Sequence, residues 1–117
     1  MNLDSAIFYS HDITKVIPFY IDTVGLTVEY KTERFVSFNF PNGAKLGIKN
    51  QTKEREVPGF QTVFISVEDV ATLYAKHKEQ NLDFYGELTE FDWGTEYSIL
   101  DPDKNKILFV QKPSSTP

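Results

Sequence analysis

The chain states one pattern twice. A short β run, a helix and three further strands fill the first half, and the same order returns near residue 60. In the first half, residues 5–11 read as a strand. Asp12 then suits a helix N-cap, because its carboxylate can accept from the orphan amides of the next turn. Ile13, Val16, Ile17, Tyr20 and Val24 follow on one helical face. Pro18 removes a backbone hydrogen bond beyond the first turn and should kink this helix, while Gly25 suits its C-terminal end. Strands are expected over 26–31, 34–40 and 44–50, with Pro41-Asn42-Gly43 as the turn before the last. In the second half, a strand over 60–67 leads to Asp69 and a helix carrying Val70, Leu73, Tyr74 and His77 on one side. Strands over 83–90, 95–100 and 106–111 follow, the last after the turn Asp101-Pro102-Asp103-Lys104-Asn105.

A shift of 57 places Asp12 on Asp69 and Ile7 on Phe64; a shift of 61 places Pro41 on Pro102 and Lys45 on Lys106. The two offsets fit one module with a loop four residues longer in the second copy. The expectation is one domain, 1–117, with module 1 over about 5–50, a linker at 51–59, module 2 over about 60–111 and a frayed tail at 112–117. Strand alternation assigns Ala6, Phe8, Val63, Ile65, Ile107 and Phe109 to a core facing Val16, Ile17, Tyr20, Leu73 or Tyr74.

Composition narrows the function. There is no cysteine, which excludes disulfides, thiolate metal sites and thiol nucleophiles. Seventeen acidic and 12 basic residues give a net charge of −5, and no window gathers Lys and Arg, so nucleic acid is not expected as a partner. No apolar run approaches the roughly 18 residues of a membrane span, and the first residues lack a signal peptide; no membrane partner and a cytoplasmic location are expected. His11 reads as an exposed strand-end residue and His77 as a structural, hydrogen-bonded one, so a triad or His-rich metal site has little material. Glu87, Glu90, Asp92 and Glu96 form a solvated edge or, more sharply, an acidic rim for a cationic ligand. No Gly-rich phosphate loop, Gly-x-Ser-x-Gly elbow or His-Glu-x-x-His segment occurs.

Asp12-Ile13, Phe19-Tyr20, Val24-Gly25-Leu26, Val67-Glu68-Asp69-Val70, Trp93-Gly94 and the turn from Asp101 to Asn105, in this order and spacing, carry a family resemblance. The chain resembles the vicinal oxygen chelate superfamily: glyoxalase I, bleomycin resistance proteins and extradiol dioxygenases. That resemblance implies an α+β fold in which two paired βαβββ modules form a curved mixed sheet, with helices on the convex face and ligand on the concave one. Lys104 stands where the family usually has Gly, so its turn should either differ from the family's or be mildly strained.

The family's metal enzymes place a His seven residues before each capping Asp and a Glu in each module's last strand. Ser5 and Thr62 hold the first pair of positions here, Gly47 and Leu108 the second. Gly and Leu offer no ligating side chain, and neutral hydroxyls bind metal poorly alone. No metal site and no cofactor are therefore expected. With Ser5 facing the cavity, Ile7 and Tyr9 face it too; Thr62, Phe64 and Leu108 do so in module 2, and Trp93 is a stacking wall or a turn anchor. Lys45 and Lys49 share the face of Gly47, as a solvated pair or within reach of an anionic ligand group.

The resemblance thus implies a metal-independent protein that binds a small organic ligand, such as an aromatic or cationic antibiotic, in the manner of bleomycin resistance proteins. The alternative is a glyoxalase-like lyase, isomerase or dioxygenase with an atypical metal site. A two-fold homodimer is expected, with Phe38, Phe40, Tyr85, Phe91 or Trp93 in its interface.

Overall fold

In the computed structural model, which describes residues 1–113, each half of the chain builds one four-stranded sheet backed by helix. Module 1 runs β1 (Ala6–Ser10), α1 (Ile13–Pro18), a π-helical turn (Phe19–Val24), β2 (Thr27–Lys31), β3 (Phe35–Asn39) and β4 (Lys45–Asn50). Module 2 runs β5 (Thr62–Ser66), α2 (Val70–Lys78), β6 (Asp83–Phe91), β7 (Gly94–Leu100) and β8 (Lys106–Gln111). The sheet orders are β1-β4-β3-β2 and β5-β8-β7-β6, with the first pair of each parallel and the rest antiparallel. This is an α+β fold of two βαβββ modules.

The core of each module lies between its sheet and its helix. Phe8, Ile48 and Val36 stand in register across β1, β4 and β3, and all are buried with Leu46, Phe38, Ile13, Val16 and Tyr20. Each such side chain stabilises the module by roughly 1.5–3 kcal/mol relative to exposure. In module 2, Ile99, Ile107, Tyr97 and Phe109 take the same places, and α2 adds His77, whose Nδ1 shares a 2.7 Å hydrogen bond with the Tyr97 hydroxyl. Burial pushes that phenol's pKa up.

Several expected core positions differ. Ala6 is exposed, because it is the first residue of an edge strand. Val63 and Ile65 are only half-buried for the same reason, since β5 is also an edge, and Ile17, Leu73 and Tyr74 are half-buried as well. Phe38 was expected at an interface, yet it is fully buried with its ring 5.6 Å from that of Tyr20. Pro18 does more than kink its helix. With no N–H to give, it ends the α-helical turn, and the chain continues as the wider π-helical turn until Gly25. There φ of +88° lets the amides of Gly25 and Leu26 both reach the Tyr20 carbonyl.

One device recurs at the same place in both modules. The first helical N–H of α1, from Ile13, donates to Asn50 Oδ1 at the end of β4 (2.8 Å). The first helical N–H of α2, from Val70, donates to Gln111 Oε1 at the end of β8 (3.0 Å). Asp12 and Asp69 cap the same helices, accepting from Thr14 and Thr72 respectively through both amide and hydroxyl. Those hydrogen bonds lower both carboxyl pKa values, the hydroxyl contribution being the larger.

The chain divides into two compact units, and the turn 102–105 belongs with the first, residues 1–61. Asp103 accepts from the Ser10 hydroxyl (2.6 Å) and the His11 amide (3.0 Å); Asn105 donates to the Tyr9 carbonyl and accepts from the Gly59 amide, both at 3.0 Å. Lys104 is held at φ +71°, the left-handed strain expected where the family carries glycine. The segment 51–59 is also tied down. Glu56 Oε1 meets Lys49 Nζ at 2.6 Å and accepts from the Thr52 amide and hydroxyl, each at 3.0 Å.

Replacing Asn50 or Gln111 with Ala should each cost about 1 kcal/mol in denaturant unfolding, because one helix N–H loses its partner. A second expectation concerns acid. The Lys49 and Thr52 bonds hold the Glu56 carboxyl at about 2 instead of its ordinary 4.5. A depressed carboxyl stabilises the fold fully above its unfolded value and loses that contribution as pH falls toward the folded one. Glu56→Gln should therefore melt below the parent at pH 7, with the gap closing between about pH 4.5 and 2.

Candidate functional site

Each sheet has one face packed on its helix and one turned away from it, and strand alternation sends the expected ligand residues to the latter. In module 1, Ile7 and Tyr9 are half-buried on that face of β1, and Ser5, half-buried, immediately precedes the strand. In module 2, Phe64 pairs with Leu108 across β5 and β8; Phe64 is 66% exposed, Leu108 is buried and Thr62 is exposed. Within each module, then, the expected residues share a face. Trp93 stands apart, in the two-residue turn between β6 and β7.

Gly47 occupies the centre of the module 1 face. It pairs with Ile7 on one side and Ser37 on the other. A Cβ at this position would lie 2.6 Å from Ile7 Cδ1 and 2.6 Å from Phe35 Cζ, so those two side chains fill the space a larger residue would need. The Tyr30 ring continues the patch, with its centroid 5.8 Å from that of Phe35. Sequence reasoning did not single out Phe35, Tyr30 or Glu29. The signal was available: Phe35 falls on Gly47's face once β3 and β4 are paired through the Pro41-Asn42-Gly43 turn. Glu29 was not accessible in that way, since a bulge between Val28 and Tyr30 places it.

The charges on this face are committed. Lys45 pairs with Glu29 at 3.2 Å and Lys49 with Glu56 at 2.6 Å. Glu29 also accepts from the Ser37 hydroxyl at 3.0 Å, and its carboxylate raises the Lys45 pKa. The expected alternative, a lysine free to meet an anionic ligand, is not what these ion pairs leave.

The β6–β7 hairpin differs in character. Residues 83–100 hold five acidic side chains and no Lys or Arg, which equals the net charge of the whole chain. At its tip the Phe91 and Trp93 rings stack with centroids 4.4 Å apart and planes 6° from parallel, and Trp93 Nε1 donates to Glu96 at 2.8 Å. Trp93 is both a turn anchor and an accessible aromatic wall, 59% exposed. A cleft of about 510 Å³ is lined by its chain neighbours Asp92 and Gly94, with Glu90, Phe91 and Thr95 of the hairpin, the start of α2 (Val70, Ala71) and the end of β8.

The donor set does not fit the metal of the family's enzymes. Of the four corresponding positions, Gly47 has no side chain and its space is filled, Leu108 is buried hydrocarbon, and Ser5 and Thr62 offer neutral hydroxyls. Among the described residues no three His, Asp or Glu side chains gather where a cation could be held.

Two βαβββ modules, each with one sheet face on its helix and the other turned away from it, define the class of fold. Residues 2–109 match the model of the Glyoxalase/Bleomycin resistance protein/Dioxygenase superfamily, and the chain belongs to that family. No curated protein matches the sequence at a significant level. Among solved structures, the antibiotic-binding protein TnmS3 from a Streptomyces species is similar at TM-score 0.86, 19% identity and 97% coverage of both chains. A virulence protein from Salmonella typhimurium is similar at TM-score 0.82 and 17% identity, covering 97% of this chain and 98% of the other. An oxidase, ChaP-H2, is similar at TM-score 0.78 and 21% identity, with 99% and 97% covered. At these identities the likeness is one of fold. No helix of the described residues is long and apolar enough to cross a membrane.

Since Trp93 is the single tryptophan and more than half exposed in the single chain, acrylamide should quench its indole emission efficiently in dilute protein and less efficiently at concentrations where a dimer forms over the hairpin. A strongly protected indole in solution would mean that something covers the hairpin tip.

Proposed function

We propose that this protein binds a small organic ligand without a metal, through aromatic and aliphatic side chains, as a sequestering member of its family. The observation that carries this reading is the state of the four positions used for metal by the family's enzymes, above all Gly47, where Ile7 and Phe35 stand in place of a ligating side chain. The proposed contacts are Ser5, Ile7 and Tyr9 in module 1, Thr62, Phe64 and Leu108 in module 2, and Trp93 at the hairpin tip. Exposed, stacked rings beside the carboxylates Glu90, Asp92 and Glu96 at the hairpin tip favour a planar ligand that carries positive charge. Similarity of fold to an antibiotic-binding protein is consistent with this class of ligand.

We further propose a two-fold homodimer, because Tyr85, Phe91 and Trp93 are exposed aromatics on one hairpin. Light scattering should give twice the chain mass of 13.5 kDa at micromolar concentration; a persistent monomer would remove this part of the proposal.

The test of binding uses proflavine, a planar cation, titrated while Trp93 emission and dye fluorescence are followed. Saturable binding that excess EDTA leaves unchanged is the expected result. Binding lost to EDTA and restored by Ni²⁺ or Zn²⁺ would overturn the metal-independent reading and favour a glyoxalase-like enzyme.

A further inference from the structure

We infer that Gly47 determines what the module 1 face accepts, and that this face takes a flat, uncharged aromatic ring system. The inference rests on the ligand-binding reading above and names the class of group bound at one part of it.

Glycine in the middle of a central strand is unfavourable relative to alanine, so its presence there calls for a physical reason. Backbone conformation is not that reason, since Gly47 is not among the residues with positive φ. Space is. The Ile7 Cδ1 and the Phe35 ring tip (Cζ and Cε1) would come within 2.6 to 2.8 Å of any Cβ at 47. They sink into a notch that only glycine leaves open and roof the β4 backbone with hydrocarbon. Tyr30, 52% exposed, extends this floor outward from Phe35.

The polar groups around the floor are already satisfied by one another. Lys45 meets Glu29, Lys49 meets Glu56, and the Ser37 hydroxyl donates to Glu29. Both lysines are spent on carboxylates, and Asp4 adds a further negative charge near Lys45, so the floor has no lysine left to select an anion. What it offers a ligand is dispersion and ring stacking, which favour a flat apolar group. Chelating and anionic groups find no partner here.

The probe is N-phenyl-1-naphthylamine, a neutral aromatic, titrated into the full chain while the Ile7 methyl and the Phe35 and Tyr30 ring resonances are followed by NMR. Those resonances should shift, and affinity should change less than about twofold between roughly 50 and 500 mM NaCl, since no charge is recruited. Gly47→Ala should push out the two side-chain tips while leaving the backbone amide spectrum native-like, and should weaken binding about five- to tenfold. Phe35→Leu, which removes the ring without touching the strand, should weaken binding similarly and stands in if the alanine variant fails to fold. Shifts confined to Phe64, Leu108 or Trp93, or parental affinity in both variants, would overturn the assignment to Gly47 while leaving ligand binding intact. No response to this probe or to proflavine would overturn both.

Discussion

The arrangement of each module depends on a side-chain amide at the end of its last strand that receives the first N–H of its helix. Helix starts leave amides without partners, and a partner from the same helix can only cap it. Asn50 and Gln111 come from the sheet instead, so they both satisfy a donor and fix where the helix begins relative to the strand. With that point anchored and the capping Asp holding the turn, the apolar stripe of the helix meets one sheet face. The core forms there: Tyr20 on Phe38 in module 1, and His77 with Tyr97 and Phe109 in module 2.

Anchoring the helix to one face leaves the other face free to vary. A strand supplies alternate residues to the two sides, so changes at Ser5, Gly47, Thr62 or Leu108 need not disturb the core. The fold can therefore persist in an antibiotic-binding protein and an oxidase alike. In this chain the freedom is used at Gly47, where loss of a side chain on the central strand is compensated by its two neighbours closing over it. Charge is concentrated elsewhere, on the β6–β7 hairpin, which has five carboxylates and no Lys or Arg of its own, with Lys78 and Lys106 set over its Phe84 and Tyr85 rings from neighbouring elements.

How much of this could be read from the sequence follows from how local each determinant is. The capping Asp12 and Asp69 rest on short-range patterns, the repeat on a recurring order of them, and the strain at Lys104 on the family resemblance, and all are found. The buried His77 was legible from helical spacing alone. What was not legible depends on pairing between distant segments. That Phe35 and Ile7 close over Gly47 requires knowing the register of three strands, and Glu29 reaches Ser37 and Lys45 only because of a bulge. Edge position, which exposes Ala6 and half-exposes Val63 and Ile65, is likewise a property of the sheet and not of the strand. The amides of Asn50 and Gln111 were within reach, since they stand 61 residues apart at equivalent places in the repeat, but polar residues at strand ends draw little notice.

The turn from Pro102 to Asn105 gives the repeat an asymmetry. It is encoded in the second copy, yet its Asp103 and Asn105 are spent on Ser10, His11, Tyr9 and Gly59 of the first. The equivalent turn of the first copy, around Asn42, is solvent-exposed, and among the described residues its hydrogen bonds run within the turn itself. A gene encoding one copy alone would specify a strand end and a loop whose partners lie on another molecule. The first copy is therefore incomplete by itself: cut off from the second, it keeps the Tyr9 carbonyl and the Gly59 amide but loses the Asn105 side chain that satisfies both.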